Sequence, residues 1–218
     1  MSRARITVVG GGPVGSLLAI SLARHGYSVG LYEGRPDSRQ TSIYQGRSIN
    51  IALSDRGWSS LAKIGIGDEV RQQAIPMYHR AIHGVDGELS RLPYGQEGDA
   101  IWSVSRGGIN EHLLNVADAE EGITTHFEHR LLNIDFATAT TTFGLANDER
   151  RVVEADYAFG ADGAHSKVRR LAHSLPRFSY SQTYMPQSYI ELNRPANADG
   201  SHQLETNALH IWPRKDFM

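Results

Sequence analysis

The chain has 218 residues, 40% hydrophobic and 21% charged, with a formal net charge of -2 and no cysteine. That length fits one large domain, or one domain and part of another, with the composition of a soluble globular protein. The balanced charge removes any electrostatic case for nucleic acid or an anionic membrane surface, and the missing cysteines exclude disulfides, thiolate nucleophiles and cysteine-based metal sites.

Residues 5–10 read as a buried β-branched strand that runs into Gly10-Gly11-Gly12-Pro13-Val14-Gly15. In this G-x-G-x-x-G spacing Gly10 makes the tight turn, Gly12 lets backbone approach a pyrophosphate, and Gly15 lets helix and strand pack closely. The free N–H groups and positive dipole end of the following helix face the phosphates. Helical spacing puts Leu17, Leu18, Ser21 and Leu22 on its packed face, and Gly26 ends it. Val29 to Tyr32 is the second strand. Glu33 follows, 23 residues after Gly10, where an acid accepts hydrogen bonds from a ribose. Glycines alone also make ordinary turns; strand, helix and acid together carry the dinucleotide assignment. Arg3 and Arg5 before an apolar stretch imitate a signal peptide, but Gly10 to Pro13 interrupts it. No run approaches the roughly 18 apolar residues that span a bilayer. The expectation is a cytoplasmic chain with no membrane segment.

A polar loop from Gly34 to Asn50 carries Arg35, Arg39 and Arg47, and loops of this length are usually functional or disordered. Ser54 is the expected cap of a helix burying Trp58, Leu61 and Ala62. Residues 80–84 and 88–93 flank Asp86-Gly87, a two-residue hairpin signal. Ser105 is the expected cap of a helix burying Ile109, Leu113, Val116 and Ala117. Short strands are expected at 123–127, 131–136, 138–143 and 151–153. Tyr157 to Gly160 is a further strand, leading into Ala161-Asp162-Gly163-Ala164-His165-Ser166 and a short helix that Asp162 and Ser166 would cap. After Pro176 the sequence reads as tyrosine-rich β segments. A strand ending at Leu209-His210-Ile211-Trp212 would leave an apolar edge that soluble proteins cover, so the chain is read as a fragment. His126 and His129 on one strand would point to opposite faces, and no metal site is expected.

The Asp-Gly pair at 162–163, with Arg169 a turn later, resembles the middle motif of flavin-dependent aromatic hydroxylases. Within them, Gly46-Arg47-Ser48-Ile49-Asn50-Ile51-Ala52-Leu53-Ser54-Asp55-Arg56-Gly57 is similar to a signature of the kynurenine 3-monooxygenase family. Ser103 to Arg106, Arg177 to Gln182 and Leu209 to Arg214 fall in the matching order. Ile51, where leucine is usual, and Trp102, where another apolar residue often sits, are small departures. The resemblance covers essentially all 218 residues and corresponds to the family's N-terminal portion.

The fold so implied is α/β: a Rossmann-like FAD-binding domain of the aromatic-hydroxylase type, with the start of a β-sheet substrate domain. The FAD-binding domain would comprise residues 1–75 and 98–175, and the partial substrate region 76–97 and 176–218, the family's C-terminal remainder being absent. The implied reaction belongs to tryptophan degradation and pyridine nucleotide biosynthesis. Tightly but non-covalently held FAD, NADPH as co-substrate and O₂ convert L-kynurenine to 3-hydroxy-L-kynurenine, so no protein nucleophile is required. The resemblance carries FAD binding onto Gly10, Gly12, Val14, Gly15, Tyr32, Glu33, Gly34, Arg35, Arg47, Ala52, Arg106, Leu131 and Asp162. It carries substrate binding onto Arg80 and Tyr94, on opposite arms of the hairpin, where an arginine fork suits an α-carboxylate. From the residues alone Arg80 is equally a surface arginine beside a half-buried tyrosine, Arg106 a solvated helix-start arginine, Ala52 and Leu131 core, and Asp162 a cap. Three alternatives remain open. The isolated chain is a nucleotide-binding module without turnover, the expected state of the fragment, or the chain belongs to another FAD-dependent aromatic hydroxylase or to a Rossmann dehydrogenase using NAD(P) directly.

Overall fold

The computed structural model describes residues 3–40, 50–146, 148–188, 190, 192 and 194–218. Arg47, with Gly46, Ser48 and Ile49, lies outside the described residues. In chain order the elements are β1 (Arg5–Val9), α1 (Pro13–Arg24), β2 (Ser28–Tyr32), β3 (Asn50–Leu53), α2 (Asp55–Lys63), α3 (Gly67–Gln72), β4 (Ile75–Met77), β5 (His79–His83) and β6 (Leu89–Pro93). They continue with β7 (Ile101–Ser105), α4 (Arg106–Ala119), β8 (Ile123–His126), β9 (Arg130–Asp135), β10 (Thr140–Gly144), β11 (Arg150–Val153), β12 (Tyr157–Gly160), α5 (Lys167–Ala172) and β13 (Ala208–Ile211). The chain forms two compact units, Met1–Arg47 with Gly107–Ser188 and Ser48–Arg106 with Tyr189–Met218.

The first unit is built on a parallel sheet in the order β12-β1-β2-β8. A central parallel strand is covered on both faces and needs an unbroken apolar run. β1 supplies it: Ile6, Val8 and Val9 are buried, and Thr7 with them. α1 makes the crossover from β1 to β2, and its deepest face differs from the expected leucine face. Gly15, Ser16, Ala19, Ile20 and Ala23 are buried, whereas Leu17, Leu18, Ser21 and Leu22 are half-buried. The cause is steric: a helix that starts hard against the end of a strand turns its smallest side chains inward.

An antiparallel sheet, β11-β10-β9, packs on this core through Phe143. That ring is fully buried with Val9, Tyr32 and Leu131, flanked by Val153, Val168 and Leu171. Tyr32 lies between two flat rings, 4.3 Å from Phe143 at 12° and 4.6 Å from His126 at 19°. His126 and His129 do not diverge as expected of a strand, because β8 ends at His126 and Glu128 takes a positive φ of 57°. The chain folds back and both rings approach Tyr32. Burial, then the Arg151 charge and His129, push His126 down to about 4.

In the second unit β3-β7-β4 and β13-β5-β6 form separate sheets. Leu61 of α2 is buried, but Ala62 is exposed and Trp58 half-buried. Ile64, Ile66 and Val70 bury instead, through the short α3, which is too polar to announce itself by periodicity. Ala52 is exposed, opposite Ser103 on the β3–β7 ladder, and so is not core. The Arg71 guanidinium sits 4.5 Å from the Trp58 ring and 4.6 Å from the Trp102 ring. The β5–β6 connection is longer than the two-residue turn expected. Gly84 N–H donates to the Glu88 carbonyl at 2.8 Å, and Gly87 takes the left-handed conformation at φ 87°. That is the three-residue loop which ends in a glycine. Between Pro176 and Ala208 the described residues contain no strand, contrary to the β segments expected there. β13 then adds parallel to β5, held by His83 and His210, whose Nε2 and Nδ1 are 2.9 Å apart, and by Trp212 stacked on His83.

Two outcomes follow from the Tyr32 stack. Phe143→Ala should cost about 3–5 kcal/mol, as for a fully buried aromatic; urea unfolding measures it, and a loss below about 1 kcal/mol contradicts this packing. His126 also makes the first unit acid-sensitive: the unfolded imidazole takes a proton near 6.5, the folded one only near 4. The stability of the neutral stack is therefore complete above the unfolded value and is lost as pH falls toward the folded one. His126→Phe keeps a flat ring without a titrating proton, so its thermal midpoint should fall less over that window; equal slopes refute the attribution.

Candidate functional site

The glycine turn stands where β1 ends and α1 begins, at the carboxyl edge of the parallel sheet, where ligands of open α/β sheets bind. Gly10 has φ 111°, and a Cβ on it would lie 2.5 Å from the Ala161 carbonyl oxygen. Any side chain on Gly15 would overlap the Gly10 carbonyl. Gly12, the residue before α1, has open space above it, and no side chain caps the helix there. Val14 is 71% exposed. The turn thus presents bare backbone and uncapped helix N–H groups outward.

Glu33 reaches this turn. Its Oε2 accepts from Gly11 N–H at 2.9 Å, and its Oε1 accepts from Arg35 N–H at 3.0 Å and Arg35 Nε at 3.1 Å. A Cβ on Gly11 would stand 2.9 Å from Glu33 Cβ. Gly11, which the G-x-G-x-x-G spacing leaves as "x", is therefore in direct contact with Glu33; the run of three glycines was the available signal. Among the described residues three of the four lone-pair positions on Glu33 are used, and one on Oε2 stays open. Tyr32 contributes differently from its neighbour: its ring is core, and its carbonyl accepts from Gly10 N–H at 2.7 Å. Gly34 passes 3.5 Å from the Arg130 backbone, measured from its virtual Cβ. Leu131 is buried in the Phe143 cluster.

Beyond Arg35 the chain is pinned by Arg39. Its guanidinium pairs with both Asp37 oxygens, at 2.8 and 2.7 Å, and through Nη1 with Asp118 at 2.7 Å and Asn115 at 2.9 Å. Arg39 holds the Asp37 carboxyl below the usual carboxylate range.

Asp162 lies beside the glycine turn, since Ala161 N–H donates to the Val9 carbonyl at 2.7 Å. Its carboxylate is spent on α5. It accepts from Ser166 Oγ at 2.5 Å, Lys167 N–H at 2.6 Å and Val168 N–H at 3.1 Å, while Ser166 Oγ accepts from Arg169 N–H at 3.0 Å. Here the capping interpretation describes the geometry. Asp162 shapes the turn next to Gly10.

In the second unit, Arg80 on β5 and Tyr94 just beyond β6 share one sheet face. The Arg80 guanidinium stands 5.1 Å from the Tyr94 ring centre. Arg80 is exposed and without an ion pair among the described residues, and the Tyr94 hydroxyl is buried with no hydrogen-bond partner. Arg106 is exposed at the start of α4, where a cation opposes the helix dipole.

The chain resembles known proteins along its length. It is 44% identical to kynurenine 3-monooxygenase of Flavobacterium johnsoniae over 98% of this chain and 48% of that one. It is 41% identical to kynurenine 3-monooxygenase of Sus scrofa over 100% of this chain and 46% of that one. The chain thus spans about half the length of the curated relatives it matches. Among solved structures, p-nitrophenol 4-monooxygenase of Pseudomonas putida shares the fold with a TM-score of 0.66 at 20% identity, over 78% of this chain and 44% of that one. The FAD binding domain family matches residues 3–214. Extending from the first strand to beyond the last, that match means that this chain belongs to the FAD binding domain family.

Proposed function

We propose that this chain forms the FAD-binding part, and the beginning of the substrate-binding part, of an FAD-dependent monooxygenase that hydroxylates L-kynurenine to 3-hydroxy-L-kynurenine with NADPH and O₂. The observation that carries the proposal is the 44% identity, over 98% of the chain, to a kynurenine 3-monooxygenase. The bare glycine turn facing Glu33 supports the cofactor half of it. In this reading residues 1–75 and 98–175 serve FAD, and residues 76–97 and 176–218 serve the substrate.

The residues present fit FAD. Uncapped N–H groups of α1 suit a pyrophosphate, and Gly12 leaves room for its approach. The open lone pair of Glu33 accepts a ribose hydroxyl, with Arg35 fixing the carboxylate's orientation. Arg106 offers a cation with no ion-pair partner among the described residues, suited to a phosphate; Ala52, exposed on β3, and Leu131, which follows the Arg130 backbone that Gly34 approaches, act by backbone and shape. Bound FAD would supply the electron and oxygen chemistry, with NADPH as reductant. Arg80 binds the α-carboxylate of kynurenine through two parallel N–H donors, and the buried Tyr94 hydroxyl, which lacks a partner, completes that carboxylate's hydrogen bonding. These groups hold the ring in one orientation and perform no proton transfer. Among the described residues no helix is long and apolar enough to cross a membrane.

Binding and turnover are tested separately. Glu33→Ala should weaken FAD binding about ten- to a hundredfold, the cost of losing a charged hydrogen-bond acceptor; flavin fluorescence titration measures it, and an unchanged affinity removes Glu33 from the site. In a full-length parent, Arg80→Lys should raise the kynurenine KM about tenfold or more with little change in kcat, since a point charge replaces a bidentate fork. Kynurenine-stimulated NADPH oxidation reads both constants, and an unaltered KM ends the role of Arg80.

A further inference from the structure

Glu33 does not hold its position by its own side chain alone. Its N–H donates to the His126 carbonyl at 2.8 Å, and its carbonyl accepts from His129 N–H at 2.9 Å. Two residues on, the Arg35 carbonyl accepts from Glu128 N–H at 3.1 Å. The short turn after β8 therefore grips three backbone positions of the segment that bears the ribose acceptor. The turn is tight enough to force Glu128 to φ 57°, a conformation costly to a residue with a side chain. Something must over-determine it, and two ring contacts do. His129 Nδ1–H donates to the Phe127 carbonyl at 2.6 Å. His126 lies flat on Tyr32, which lies flat on Phe143.

We propose that His126, with the turn it opens at residues 126–130, is the positioning element for Glu33 and sets how tightly the chain holds the adenosine half of FAD. This rests on the FAD reading above. His126 touches neither cofactor nor substrate in it; it acts through Glu33. Its ring faces Tyr32 of β2, His129 of the turn and Arg151 of β11, whose Nη1 donates to His126 Nδ1 at 3.4 Å. A proton on Nδ1 would displace that donor and set a second cation against Arg151, with His129 adding to the repulsion. Burial already holds the ring neutral down to about 4. Acid therefore lifts the ring from the stack, loosens the turn and frees Glu33.

The test titrates the chain with FAD and with ADP, which carries the adenosine half alone. His126→Ala should raise both dissociation constants about tenfold at neutral pH. His126→Phe restores a flat ring and should bind within about threefold of the parent. The parent's ADP affinity should fall as the pH is lowered through about 4, and the His126→Phe variant should fall less. Full affinity in His126→Ala, no rescue by phenylalanine, or the same acid loss in both proteins overturns the proposal. If the parent binds neither nucleotide at any pH, the FAD reading fails by itself. The positioning claim is then read from NMR: the Glu33 amide should titrate together with the His126 ring and move in His126→Ala but not in His126→Phe. Independent titration of the two overturns it.

Discussion

The exclusion of side-chain volume at the β1–α1 junction is the constraint on which the rest depends. Gly10, Gly11 and Gly15 each have another group standing where a Cβ would be: the Ala161 carbonyl, Glu33 Cβ and the Gly10 carbonyl. Because the backbones touch there, α1 lies on the sheet by its small residues, and the turn after β12 lies against the turn after β1. Glu33 is held against the same turn. A methyl group at any of the three positions would push apart elements that otherwise meet along one sheet edge.

Charges in the first unit are mostly committed to structure. Asp162 caps α5, Arg39 joins Asp37 to Asp118, and Glu33 already accepts three hydrogen bonds. A group with partners costs free energy to redirect, whereas one without them gains from a ligand. Among the described residues the exposed Arg80 and Arg106 guanidinium groups make no ion pair and the buried Tyr94 hydroxyl makes no hydrogen bond, so each gains from a ligand, and Glu33 contributes its one open lone pair.

In the second unit a single three-stranded sheet carries two kinds of chemistry through strand alternation. Arg80 and Ile82 face one side of β5, and His79, Ala81 and His83 the other. The second side carries Trp212 and the His83–His210 contact, and His79 lies 3.2 Å from Glu205 there. The histidine face is thereby occupied in attaching β13, while on the Arg80–Tyr94 face the arginine has no ion pair and the tyrosine hydroxyl no hydrogen-bond partner among the described residues.

The G-x-G-x-x-G spacing, the β-branched run before it and Glu33 after it determined the dinucleotide turn from sequence alone. Those features are local, and glycine's lack of a side chain is legible at any position. Hydrophobic periodicity and turn signals likewise located the strands of the first unit and β5, β6 and β13 of the second, but not β3, β4 and β7. It misjudged the buried face of α1, because close packing selected small residues over leucines. It saw neither the three-residue hairpin loop nor the parallel pairing of β13 with β5, which depends on partners 127 residues apart such as His83 and His210. Only tertiary structure decided that Tyr32 is core while Glu33 beside it faces the turn, that Asp162 is spent on a cap, and that Gly11 donates to Glu33. It also brought His126 and His129 together on Tyr32, where sequence alternation placed them apart. The physical reason is common to all of these. A side chain's chemistry is set by which neighbours satisfy or crowd it, and those neighbours come from strands distant in sequence.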